Sequence, residues 1–319
     1  MISQLESLKQ YTTIVADTGD FKSIQSLYPT DVTTNPSLIL KAIQQETYQS
    51  LFKEVIYNNQ NLDYQNIADH LLVTFGKKIL EIVPGRVSTE IDARLSFDTK
   101  KTIERARYLI SLYEKIGIPR DRILIKIAST WEGIKAASIL EMEEIRCNLT
   151  LLFSLFQALT CAQANVTLIS PFVGRIYDWN KKIMGDSWSE ELNIGLKDPG
   201  VKVVSNIYNY YKSLDIKTKI MGASFRNIEQ ILALAGCDLL TISPQFLFQL
   251  SQTPGYIEPK INSHSSNINA DEVISIYDEN KFRNQLNYDL MTNEKLSEGI
   301  RLFTDDLIKL ESMILYHKS

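Results

Sequence analysis

The chain has 319 residues, 44% of them hydrophobic and 23% charged, with a formal net charge of -4. That balance describes a mildly acidic globular protein with a large core, and it gives no whole-chain electrostatic basis for binding nucleic acid or an anionic membrane. Cys147, Cys161 and Cys237 are odd in number and lack CxxC spacing, which argues against a disulfide framework or a zinc site and for core thiols in a reducing compartment.

The opening Met1-Ile2-Ser3-Gln4-Leu5-Glu6 lacks the basic-then-apolar layout of a signal peptide, so a cytoplasmic location is expected. Nowhere does an apolar run reach the length of about 18 residues that a bilayer demands. Short β-rich runs then alternate with segments of helical period. Strands are predicted at Thr13–Asp17, Asp31–Thr34, Val87–Ile91, Ile123–Ala128, Asn148–Leu152, Thr167–Pro171, Lys219–Ala223 and Leu239–Ser243. Strands in parallel with helices between them predict an α/β fold, a closed (β/α)8 TIM barrel whose site lies at the C-terminal strand ends. An open doubly wound sheet is the alternative.

Helix starts fit this register. Asn35-Pro36 offers a cap with proline at the first helical position, and Ser129-Thr130-Trp131-Glu132 has capping-box spacing. The polar stretch Asp178–Gly200 interrupts the alternation, and Thr253–Ala270 is a Pro/Ser/Asn-rich connection. Neither marks a boundary, so one barrel domain is expected over residues 1–319, with terminal helices from about residue 270 packed on it. In that tail Leu296, Ile300, Phe303, Leu307, Leu310 and Ile314 recur at spacings of four and three, which makes one helix face apolar.

The predicted strands carry polar residues where a barrel converges. Lys126 sits inside the apolar run Ile123-Leu124-Ile125-Lys126-Ile127-Ala128. Burial disfavours its ammonium and favours a neutral amine able to attack a carbonyl and form a Schiff base, whereas a strand-end lysine paired to a carboxylate is the plainer reading. Asp17, Asn35, Glu90, Asn148, Thr150 and Ser170 lie at or near the ends of neighbouring strands. Two carboxylates, an amine and neutral hydrogen-bonding groups without a metal-ligand cluster suit carbonyl chemistry.

Each has a structural alternative: a cap for Asn35, a turn for Asp17, a rim ladder of Glu90, Asp92 and Arg94, and polar residues under the helices for Asn148 and Thr150. His70, His264 and His317 are scattered away from these segments, against a histidine base, triad or metal site. After the sixth and seventh strands, Ser170-Pro171-Phe172-Val173-Gly174-Arg175 and Gly222-Ala223-Ser224-Phe225-Arg226-Asn227 each supply a hydroxyl and an arginine. Together they suit a phosphate; singly, each arginine reads as a surface ion-pair residue and Phe225 as core.

The segments Asp31-Val32-Thr33-Thr34-Asn35-Pro36-Ser37-Leu38, Val87-Ser88-Thr89-Glu90-Ile91-Asp92, Ile125-Lys126-Ile127-Ala128-Ser129-Thr130-Trp131 and Cys147-Asn148-Leu149-Thr150-Leu151-Leu152-Phe153, with the two arginine segments, closely resemble the motifs of transaldolases. The likeness extends to Glu294-Lys295-Leu296-Ser297-Glu298-Gly299-Ile300-Arg301-Leu302-Phe303 and so covers almost the whole chain. It implies a Schiff-base enzyme of the non-oxidative pentose phosphate pathway. Such an enzyme moves a dihydroxyacetone unit from sedoheptulose 7-phosphate to glyceraldehyde 3-phosphate, giving erythrose 4-phosphate and fructose 6-phosphate, with no cofactor.

By the same resemblance Lys126 forms the imine, Glu90 and Thr150 position the water that shuttles protons, and Asp17 exchanges a proton with the sugar hydroxyl. Asn35, Asn148 and Ser170 hold hydroxyls of the three-carbon unit, and Arg175, Ser224 and Arg226 bind the sugar phosphate. Phe172 stands where related fructose 6-phosphate aldolases carry a tyrosine, which favours transfer over release. Chain length and the long terminal helix are similar to those of the larger, usually dimeric transaldolases, so a homodimer is expected. A releasing Schiff-base aldolase and a non-catalytic sugar-phosphate-binding barrel are the competing readings.

Overall fold

Apolar runs with β propensity, too short and too continuous for amphipathic helices, suit strands buried on both faces beneath a helical layer. In the computed structural model, which describes residues 2–261 and 277–318, they form β1 (Thr13–Asp17), β2 (Asp31–Thr33), β3 (Val87–Glu90), β4 (Ile123–Ala128), β5 (Cys147–Leu152), β6 (Leu168–Pro171), β7 (Lys219–Gly222) and β8 (Leu239–Ile242). Neighbours pair in parallel in chain order, and β8 pairs with β1 to close the barrel. The predicted and observed strands differ only at their ends, by one residue.

Side-chain alternation then stacks the barrel interior in layers. Val15, Leu124, Leu168, Met221 and Leu239 form a small buried cluster. Two positions further along four of these strands stand Asp17, Lys126, Ser170 and Thr241, all of which border one cavity. The apolar cluster therefore floors a polar layer. Residues of opposite parity, among them Ile14, Ile125, Ile127, Leu149, Ile169, Ile220 and Leu240, belong to the larger core shared with the helices.

Asn35 caps the helix Pro36–Ile43 as predicted, its side chain accepting from the Leu38 N–H at 2.9 Å. The second cap differs from expectation by one residue. Thr130, not Ser129, caps Trp131–Met142, accepting from the Gly133 N–H at 2.9 Å. Ser129 remains tied to β5, its N–H and hydroxyl donating to the Thr150 carbonyl at 2.8 and 2.7 Å, so the chain is still extended there.

A second correction concerns the polar stretch after Asp178. Its first part continues the helix Val173–Met184, because buried Val173, Ile176 and Tyr177 anchor that helix on one face while polar residues occupy the other. Three 3-10 turns follow before the helix Pro199–Ser213. Of the connection predicted at Thr253–Ala270, residues 262–270 lie outside the described residues, as does His264.

The terminal helix Leu290–Lys318 buries Leu296, Ile300, Phe303, Leu307, Leu310 and Ile314, the predicted stripe. It packs on Pro36–Ile43 and Tyr64–Leu80 and touches β5. Arg94 fastens it to the barrel rim, reaching Asp92 at 2.7 Å and Glu311 at 2.5 Å. The rim ladder thus forms with Asp92 and leaves Glu90 out. Cys147, Cys161 and Cys237 are free and buried, and no described helix is long and apolar enough to cross a membrane.

Candidate active site

Parallel pairing sets Glu90 on β3 opposite Lys126 on β4, and Lys126 opposite Asn148 on β5. Lys126 and Glu90 are each only 4% exposed, and the Lys126 Nζ lies 2.9 Å from Glu90 Oε2. The contact lies within ion-pair distance, yet Oε2 makes no aligned hydrogen bond among the described residues. Burial pushes the Glu90 carboxyl up while Lys126 beside it pulls it down.

On β1, Asp17 borders the cavity with its carboxylate accepting from the Thr33 hydroxyl at 2.8 Å, and Thr33 meets Thr241 at 2.7 Å. Burial also raises the Asp17 carboxyl, and Lys126, Thr33 and Lys41 oppose that shift. Asp17 is therefore tied into the site rather than serving only as a turn residue.

The cavity, of about 370 Å³, is bordered by eight of the expected residues: Asp17, Asn35, Lys126, Ser170, Phe172, Arg175, Ser224 and Arg226. Glu90, Asn148 and Thr150 do not border it. Glu90 touches Lys126 from the side. Asn148 stands behind Ser170, whose hydroxyl donates to Asn148 Oδ1 at 2.5 Å, and its own amide donates to Ser88 Oγ at 3.1 Å. Thr150 is fully buried on β5, level with Ala128, and its hydroxyl has no partner among the described residues. The bulge after Leu149 and the left-handed backbone of Leu151, at φ 52°, locally reshape the strand just beyond it.

At the cavity mouth the two arginines behave differently. Arg226 is held by Asp178, with Nη2 at 2.7 Å from Oδ2, and both side chains are substantially exposed. Its Nη1 also donates to Ser224 Oγ at 3.3 Å. The surface ion pair and the cavity position therefore coexist. Arg175 is more enclosed, and its Nη1 is buried without a partner among the described residues. Burial and the neighbouring Arg226 both disfavour its charge, which a bound anion would offset. Ser224 adopts φ 62°, and Gly174 lets the two loops meet, since its N–H donates to the Ser224 carbonyl at 2.8 Å where a Cβ would lie 2.1 Å from that oxygen.

Phe172 packs edge-on to Phe153 at 5.7 Å between ring centroids and presents an apolar wall. Phe225 belongs to the main core and borders the cavity as well. Sequence reasoning missed Thr33, Lys41, Thr241, Phe303 and Asp306, which also line it. Period-two spacing from Leu239 is the signal that could have found Thr241, which shares its face of β8. Phe303 gave only a core signal. Among the described residues no group of three or more His, Cys, Asp or Glu is arranged to hold a metal ion.

The family match that the barrel accompanies is to an enzyme of the aldolase type. The Transaldolase/Fructose-6-phosphate aldolase family model matches residues 14–314, and the chain belongs to that family.

Proposed function

We propose that the protein is a transaldolase, acting on sedoheptulose 7-phosphate and glyceraldehyde 3-phosphate through an imine on Lys126. The observation that carries this reading is the 2.9 Å approach of Lys126 to Glu90 beside a cavity that also holds Asp17. The neutral Lys126 amine attacks the ketone carbon. A proton supplied by Glu90 through a water near Thr150 lets the carbinolamine hydroxyl leave as water, giving a protonated imine. The Thr150 hydroxyl, buried without a partner among the described residues, suits that water.

Asp17 then takes the proton of the hydroxyl on the carbon at the far end of the bond to be cleaved. That carbon becomes the aldehyde, the carbon–carbon bond breaks, and its electron pair flows into the imine to leave an enamine. The imine is the electron sink, so the scheme itself needs no metal or organic cofactor. An acceptor aldehyde reverses these steps, with Asp17 returning the proton. Asn35 and Ser170, with Asn148 behind Ser170, suit the hydroxyls of the three-carbon unit, and Arg175, Ser224 and Arg226 suit the phosphate.

Transfer requires the enamine to wait for an aldehyde without being protonated and hydrolysed. Phe172 supports transfer over release, because a buried ring without a hydroxyl gives water no anchor there. A homodimer is proposed on the likeness to the larger transaldolases. Product analysis separates the alternatives: incubation with fructose 6-phosphate alone should yield little free dihydroxyacetone beyond one turnover, and adding erythrose 4-phosphate should yield sedoheptulose 7-phosphate. Sustained release of dihydroxyacetone without an acceptor identifies a fructose 6-phosphate aldolase instead.

A further inference from the structure

The terminal helix supplies a ring to the cavity at a point where the chemistry is unusually demanding. Phe303, 4% exposed, lies on the apolar stripe of that helix and borders the cavity. Its ring centroid is 5.5 Å from the Arg175 Cζ and 6.0 Å from the Lys126 Nζ. The Phe172 ring lies 5.1 Å from the same Arg175 carbon. Among the described residues no carboxylate comes within ion-pair distance of Arg175, whereas Arg226 is engaged by Asp178. One helical turn before Phe303, a Cβ on Gly299 would lie 3.0 Å from Arg175 Nη1 and 2.5 Å from Leu151 Cδ2. The helix backbone therefore passes directly against the guanidinium.

A buried guanidinium can be held in two ways. A carboxylate binds the N–H fork, which is the edge that a phosphate needs. An aromatic ring attracts the cation through its face and leaves the donors unused. Arg175 has the second arrangement, with its Nη1 buried and unpartnered.

We propose that Phe303 is a positioning residue that holds the Arg175 guanidinium with its donors free for the substrate phosphate, and that Gly299 gives the guanidinium room under the helix. The inference rests on the proposal that Arg175 belongs to the phosphate site. Its test is the ratio of kcat/KM for glyceraldehyde 3-phosphate to that for unphosphorylated glyceraldehyde, with fructose 6-phosphate as donor. Losses common to both acceptors cancel in that ratio.

Phe303→Leu keeps apolar bulk but removes the ring face, and should lower the ratio by about 5- to 30-fold, whereas Phe303→Tyr, which keeps the ring, should hold it within about twofold. Phe303→Met serves in the same way should the leucine variant not fold. In an Arg175→Ala background, Phe303→Leu should lower the ratio no further, since the ring acts through the arginine. A wild-type ratio in folded Phe303→Leu, or an equal loss in both backgrounds, overturns the inference while leaving the phosphate site intact. A wild-type ratio in Arg175→Ala overturns both.

Discussion

Thr33 donates to Asp17 at 2.8 Å while also meeting Thr241 at 2.7 Å, so the β1 carboxylate is oriented from two neighbouring strands. Glu90 is instead set against Lys126 at 2.9 Å. The two carboxylates therefore occupy separate places around one amine, and they can serve separate proton transfers.

That separation predicts different defects. Asp17→Ala should form the initial imine and then stall, with carbon–carbon cleavage slowed by about 10²- to 10⁴-fold. Glu90→Ala should slow imine formation itself. Single-turnover kinetics that follow imine formation and aldehyde release separately provide the check; equal defects in both phases for both variants contradict the division.

The pH dependence of cleavage follows from burial of Asp17, which raises its carboxyl against the pull of Lys126, Thr33 and Lys41. Asp17 must be ionised to accept a proton, so the cleavage rate should rise with pH through a midpoint above the ordinary aspartate value of about 3.9. Thr33→Val removes a hydrogen bond that favours the ionised form and should move the midpoint upward. A rate profile over the acid range, with no upward movement in folded Thr33→Val, contradicts this assignment.

Phe172 supplies a third prediction. Its ring is 6% exposed and packed against Phe153, so Phe172→Tyr adds a hydroxyl to an otherwise dry wall. The variant should divert intermediate from transfer to release, measured as free dihydroxyacetone from fructose 6-phosphate without acceptor. No increase in a folded variant removes Phe172 from the control of water.

The arginines should contribute unequally. A charge-assisted contact is worth about 1.5–3 kcal/mol, or roughly 10- to 150-fold in kcat/KM, for phosphorylated substrates. Arg175→Ala should fall near the upper end because its Nη1 is buried and unpartnered, and Arg226→Ala nearer the lower end because Asp178 competes for its donors. Unphosphorylated acceptors should lose much less. Retention of full phosphate preference by either folded variant returns that arginine to a surface or packing role.

The barrel was legible in the sequence because parallel strands buried on both faces read as continuous apolar runs, and Lys126 stood out inside one of them. Alternation then carried the polar layer: Asp17 follows Val15, and Ser170 follows Leu168. Less legible was whatever depends on contacts distant in sequence. The stripe containing Phe303 has the same spacing whether it faces a core or a cavity, and Lys41 and Asp306 gave no local sign of their place at the cavity. The hydrogen bond from the Ser170 hydroxyl to Asn148 likewise joins two strands and has no local sign in either segment. The pairing of Arg226 with Asp178 across 48 positions could not be inferred from either segment alone.

The most direct measurement of the central claim is mass spectrometry of the protein after borohydride reduction in the presence of fructose 6-phosphate. The account predicts a single stable three-carbon adduct located on Lys126, absent from Lys126→Ala, which should be inactive. An adduct on another lysine, or normal turnover by Lys126→Ala, contradicts it.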